Sequence, residues 1–192
     1  MPFTAEQATL LAAIIAAVAS VSTLVLNIFA SRSAEMRVAH RQSLEQHIHE
    51  LSSAIHSTIA STKILTQAKT DISVKNWRER ATDAQNKLKE LRMILRYPLW
   101  GITDAIGTLT RLPDWIDNTR EYPEYVKEFF TKGRKLGNEI DSSIRNSYTY
   151  GRPPTIYERL RVRFAEKQLE NVFEKWKNDT SWKIAKGKKT AK

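Results

Sequence analysis

Three features of the sequence predict an all-α chain: one N-terminal transmembrane helix followed by an antiparallel bundle of about four long helices. Gln7 to Ser31 are 25 consecutive uncharged positions. Beyond them, apolar residues recur at alternating spacings of four and three, without strand-like alternation. Gly and Pro number only six each in 192 residues, so long stretches run without a helix breaker.

The apolar stretch, 8–30, is long enough to span a bilayer. At ~1.5 Å per residue, about 20 residues cross a ~30 Å hydrocarbon layer. A soluble core helix is rarely free of charge for so long. A cleaved leader would begin with basic residues, whereas MPFTAEQ carries one acid and no base. The reading is therefore a retained anchor. Its small residues Ala12, Ala13, Ala16, Ser20 and Thr23 recur at helical spacing, which lets a second helix approach closely and predicts a homo-oligomer. No Trp or Tyr flanks the stretch, so its interfacial belt is weak.

Lys and Arg are absent before the span, and Arg32, Arg37 and Arg41 follow it. The positive-inside rule then leaves residues 1–7 outside and the remainder in the cytoplasm, at the cell (inner) membrane. The chain has no cysteine, which suits a reducing compartment. Residues 32–192 hold all 31 basic residues and 20 of the 21 acids, a net charge of +11. The body is thus expected over 31–182, with a basic, disordered tail over 183–192.

Within the body, one helix is predicted to continue from 32 to about 69. Leu44, Ile48, Leu51, Ile55, Thr58, Thr62 and Leu65 form its coiled-coil-like seam. Arg37 and Arg41 continue the same register backwards, so packing is expected to begin at Leu44, with Arg32, Arg37 and Arg41 free to reach anionic headgroups. All four histidines, His40, His47, His49 and His56, lie here at spacings of seven, two and seven. That does not match the i,i+3 or i,i+4 spacing of helical metal pairs, and they read as solvated flanking residues. A break is predicted at 70–76, with Asp71 or Ser73 as N-cap.

The second helix runs to about Arg96 on the seam Trp77, Ala81, Ala84, Leu88, Leu91 and Leu95, and folds back on the first. Pro98 stops it. The apolar piece 99–116 either closes the bundle core, the favoured reading, or lies on the membrane with Trp100 and Trp115 at the interface. A third helix over 123–148 presents Val126, Phe130, Gly133, Gly137, Ile140 and Ile144, widened by Phe129 and Leu136. GRPP at 151–154 is a turn, with Pro154 placed in the first turn of a last helix over 154–177. There Ile156, Leu160, Phe164, Leu169, Val172, Phe173 and Trp176 are expected to face inward. The tail lysines Lys183, Lys186, Lys188, Lys189 and Lys192 can bind polyanions loosely.

Phosphate-binding loop signatures, HExxH and cysteine-based metal spacings are all missing from the sequence. No catalytic residue, cofactor or metal is therefore expected. The expected role is interaction: a membrane-anchored scaffold that self-associates, contacts anionic lipid and holds a cytoplasmic protein partner. The alternative is a ligand-gated membrane effector whose basic body senses a nucleotide or nucleic acid.

Overall fold

The computed structural model describes the backbone of residues 5–67 and 71–190, and the side chains of residues 9–67 and 74–179. Among the described residues all regular structure is helical: α1 (Ala5–Glu45), α2 (Ile48–Gln67), α3 (Asp71–Ile94), α4 (Thr103–Thr110), α5 (Leu112–Asn118), α6 (Pro123–Tyr150) and α7 (Ile156–Thr190). The chain divides into two units, Met1–Ala39 and His40–Lys192.

The described residues of the first unit are helix alone. The unit contains one stretch long and apolar enough to cross a membrane, none of it buried within the chain. Two hydroxyls of the apolar stretch are satisfied on their own backbone: Ser20 donates to the Ala16 carbonyl and Thr23 to that of Ala19, each at 2.8 Å. A polar side chain bonded in this way adds no unpaired donor to an apolar surrounding.

The second unit closes its own core. Leu44 is the first fully buried side chain along the sequence, where the seam predicted packing to begin. The single helix expected over 32–69 is interrupted, however. Gln46 and His47 form a turn between α1 and α2. The His47 amide donates to the carbonyl three residues back, Leu44, at 2.9 Å. Neither Gly nor Pro marks the site, so the sequence shows no breaker there.

Contacts run chiefly between α2 and α3, α2 and α6, and α6 and α7. Because only residues 68–70 separate α2 from α3, the two are antiparallel. Helix α3 begins at Asp71, which places Ser73 inside its first turn and not at its cap. Leu88, Leu91 and Leu95 are fully buried, whereas Trp77 is half-buried with the Arg80 guanidinium 4.6 Å above its ring.

Residues 99–116 lie in the core. Leu99, Ile102, Ile106, Leu109, Leu112 and Ile116 are all essentially inaccessible. Trp115 stacks on Phe173 at 4.7 Å between ring centres and leans on Phe129 at 5.8 Å. The two tryptophans considered together in the sequence thus part company, since Trp100 is 64% exposed. Gly133 and Gly137 let α6 approach closely: a Cβ on Gly133 would overlap Leu112, and one on Gly137 would overlap Ile59.

Helix α6 ends at Gly151, whose φ of 60° is open to glycine at little cost. The Arg152 amide donates to the Ser147 carbonyl and the Gly151 amide to that of Tyr148, a Schellman closure. Pro154 does not open α7; Thr155 does. Its hydroxyl accepts the Glu158 amide at 3.2 Å, and the Glu158 carboxylate accepts the Thr155 amide at 2.6 Å. This is a capping box, T-x-x-E, legible in the sequence as Thr155-Ile-Tyr-Glu158.

Burial raises the Glu158 pKa, but hydrogen bonds from Thr155, Arg152 and Asn146 outweigh it and hold the carboxyl below its ordinary value of 4.5. Stability from this group is therefore complete above the ordinary value and is lost as pH falls through the lowered one. Glu158→Ala should cost about 1 kcal/mol near neutral pH, with the difference from wild type shrinking below about pH 4. Denaturant unfolding at pH 7 and pH 3.5 measures both; a pH-independent gap would contradict the assignment.

The inward face of α7 needs the largest correction. Val162, Ala165, Leu169 and Val172 are buried, but Ile156, Leu160 and Phe164 are 72%, 59% and 61% exposed. At about 100° per residue, positions 160 and 162 point to nearly opposite sides of a helix. The α7 sequence carries two apolar stripes, and only one is covered.

Candidate functional site

The residues expected to carry function sit on two separately described surfaces. Ala12, Ala13, Ala16, Ser20 and Thr23 are all exposed on α1, none contacted by the rest of its unit. Ala12, Ala16 and Ser20 are spaced four apart, with Thr23 three further on, so they share one face. Eleven exposed large apolar side chains, from Leu10 to Phe29, surround that face. An uncovered apolar surface of this extent calls for lipid or another helix.

The seam residues Leu44, Ile48, Leu51, Ile55, Leu88, Leu91 and Leu95 come together in one core cluster, with Trp77 packed on its edge. They hold the body shut and are not available to a partner. Arg32, Arg37 and Arg41 are exposed. Arg37 donates to the Ser33 hydroxyl at 3.0 Å, and Arg41 to the Thr149 carbonyl at 2.6 Å. Arg41 therefore braces the end of α6 as well as carrying charge. The side chains of Lys183, Lys186, Lys188, Lys189 and Lys192 lie outside the described residues, although α7 continues to Thr190.

His40 is not a solvated flanking residue. Its Nε2 lies 2.9 Å from the Ser147 hydroxyl, whose own proton goes to the Arg152 carbonyl at 2.7 Å. Ser147 has a single proton to give, so with that proton on the Arg152 carbonyl the His40 tautomer that fits is the one carrying hydrogen on Nε2. Burial lowers the His40 pKa, which favours the neutral ring. Together, His40 and Arg41 tie the start of the second unit to the α6–α7 turn.

A second polar group joins α2 to α6. Asp141, 9% exposed, accepts from the Ser52 hydroxyl at 2.6 Å and from Arg145 Nε at 2.7 Å, with His56 Nε2 at 3.8 Å. The serine proton is committed to the carboxylate, which makes this a brace. Between α6 and α7, the Tyr125 hydroxyl donates to the Asp179 carboxylate; that bond, then burial, push its pKa up to about 12. Sequence spacing could not find the His40–Ser147, Ser52–Asp141 and Tyr125–Asp179 contacts, because each joins residues 54 or more positions apart.

Among the grooves on the body, two are of ligand size. One, of about 530 Å³, runs between α2 and α3 over Ser53, Ala54, Ser57 and Ala60, with Glu50 and Lys87 at its rim. Another, of about 450 Å³, is lined by Lys63, Arg120 and Lys127 around Pro123, Val126 and Phe130, with no acid among its lining residues. No group of three or more His, Cys, Asp or Glu among the described residues is arranged to hold a metal ion. Comparison with protein-family models, curated proteins and solved structures finds no match to this chain.

Proposed function

We propose that the chain is a single-pass, membrane-anchored helical interaction protein. Its span self-associates and holds the basic body at the cytoplasmic face of the cell (inner) membrane, with residues 1–7 outside. The observation that carries this reading is the contrast between the two units. The body buries its own apolar residues in a continuous core, while the first unit leaves all of its described large ones uncovered. Lipid supplies part of that cover, and the face of Ala12, Ala16, Ser20 and Thr23 fits a second copy of the same helix. The exposed Arg32 and Arg37 suit anionic headgroups, and the body offers its surface to a cytoplasmic protein partner.

The test is association in bilayers. Ala16→Leu combined with Ser20→Leu keeps the helix apolar and removes the close approach. Energy transfer between labelled copies at fixed protein-to-lipid ratio should fall several-fold in this variant. Transfer unchanged from wild type would show that the small-residue face is not the interface.

The Lys63, Arg120 and Lys127 groove favours a second reading, an effector gated by an anionic nucleotide or nucleic acid. Nucleotide binding that is lost in Lys63→Gln with Lys127→Gln, together with nucleotide-dependent membrane depolarisation, would replace the first reading with this one.

A further inference from the structure

Exposed apolar residues are not scattered over the body. Among the described residues of His40–Lys192, every exposed large apolar side chain falls within 93–100 or 150–164. The two segments meet: Trp100, Gly101, Ile156, Arg159, Leu160 and Arg163 line one groove of about 270 Å³. Gly101, at φ 88°, makes the junction, because a Cβ there would collide with the Arg159 stem. The Arg159 guanidinium consequently lies 4.6 Å from the centre of the exposed Trp100 ring. Single exposed apolar residues need no explanation, but a contiguous patch does.

Charge identifies the cover. On the outward side of α7, Ile156, Leu160 and Phe164 alternate with Arg159, Arg163 and Lys167. The two acids in that part of the helix are both withdrawn: Glu158 is buried in the capping box, and half-buried Glu166 accepts from Thr108 at 2.8 Å. Asp104, on the neighbouring helix, is exposed but paired with Arg92 at 3.1 Å. An apolar stripe edged mainly by cations, with a Trp and a Tyr beside it, is the composition that settles into an anionic lipid interface. Chain continuity agrees. His40 and Arg41 bind the α6–α7 turn that leads directly into this face. His40 also follows Ala30, the end of the apolar run, by only ten positions.

We infer that the face formed by Trp100, Ile156, Leu160 and Phe164, with Arg159 and Arg163, is a second membrane contact that docks the body onto an anionic lipid surface. The inference rests on the membrane reading above and moves the contact from the lysine tail to the first three turns of α7.

The natural chain has no cysteine, so single replacements give unique labels. Full-length Leu160→Cys, Glu174→Cys and Val21→Cys, each carrying bimane, are reconstituted in nanodiscs of phosphatidylcholine with or without phosphatidylglycerol. Quenching by doxyl-labelled lipid is then measured. In anionic discs the label at 160 should be quenched several-fold more than that at 174. The excess should fall in phosphatidylcholine alone, and in the added Arg163→Gln, Lys167→Gln background. Equal quenching at 160 and 174, with strong quenching at 21, overturns this inference and leaves the membrane reading standing. No quenching at 21 overturns the membrane reading and this inference with it. Protection of the label at 160 that grows with protein concentration in detergent, without lipid quenching, assigns the face to a second copy and overturns the proposal.

Discussion

Replacing Val18 and Val21 together by arginine should move the protein out of the membrane fraction. The eleven large apolar residues from Leu10 to Phe29 each favour insertion by about 0.3–0.6 kcal/mol, so their sum is ~3–7 kcal/mol at best. Each arginine near the middle of a span costs about 2.5–3.5 kcal/mol on the same scale. Two of them cancel the whole driving force, because the Ala, Ser, Thr and Asn between the large residues add little. Any contact of the body with lipid is peripheral and is stripped by alkaline extraction, and the body should keep its fold. Alkaline extraction of membranes gives the readout, with wild type expected in the pellet and the variant in the supernatant or degraded. A double-arginine variant that still resists extraction would mean that another part of the chain holds the protein there.

Phe129→Ala should be the most damaging single change in the body. The side chain is wholly buried on α6, beside Trp115, inside the cluster that α4, α5 and α7 also build. Truncations of this kind cost about 3–5 kcal/mol in transfer free energy and cavity. Domains are stable by about 5–15 kcal/mol in total, so the loss is a large share. For a body of this size the thermal midpoint should drop by about 10 °C or more. Phe164→Ala is the informative control. The two residues read alike in sequence, each an apolar residue on an amphipathic helix, but Phe164 stands 61% exposed with Lys135 5.6 Å from its ring centre. Its truncation should shift stability by no more than about 0.5 kcal/mol. Thermal unfolding of the full chain followed by near-UV circular dichroism separates the two. Equal losses would place Phe164 in the core, as the periodicity of α7 first implies.

That comparison marks the limit of what spacing can say. Where a helix carries one apolar stripe, periodicity names the buried face: Leu44, Ile48, Leu51 and Ile55 on α2 and its approach, and Leu88, Leu91 and Leu95 on α3 and just beyond it, are all buried. Helix α7 carries two stripes, Ile156-Leu160-Phe164 and Val162-Leu169-Val172, and period alone cannot choose between them. The choice depends on which side α4 and α6 occupy. The capping box at Thr155–Glu158 was readable as a motif, but Pro154 next to it offered a competing start. The Gln46–His47 turn has no breaker residue and was not readable.

The sequence by itself determined the helical class, the long apolar stretch, the seam that starts at Leu44 and the glycine close approaches on α6. Each of these follows from local chemistry: an uninterrupted apolar run, a 3.6-residue period, or a missing Cβ. Tertiary structure alone decided that Trp115 is core while Trp100 is surface, that His40 is bonded to Ser147, and that Asp141 meets Ser52. It alone gathered the exposed aromatic and cationic residues of 93–100 and 150–164 into one face. Those facts are contacts between residues far apart in sequence. Their energies depend on which helix faces are covered, and the period of a single helix carries no record of its neighbours.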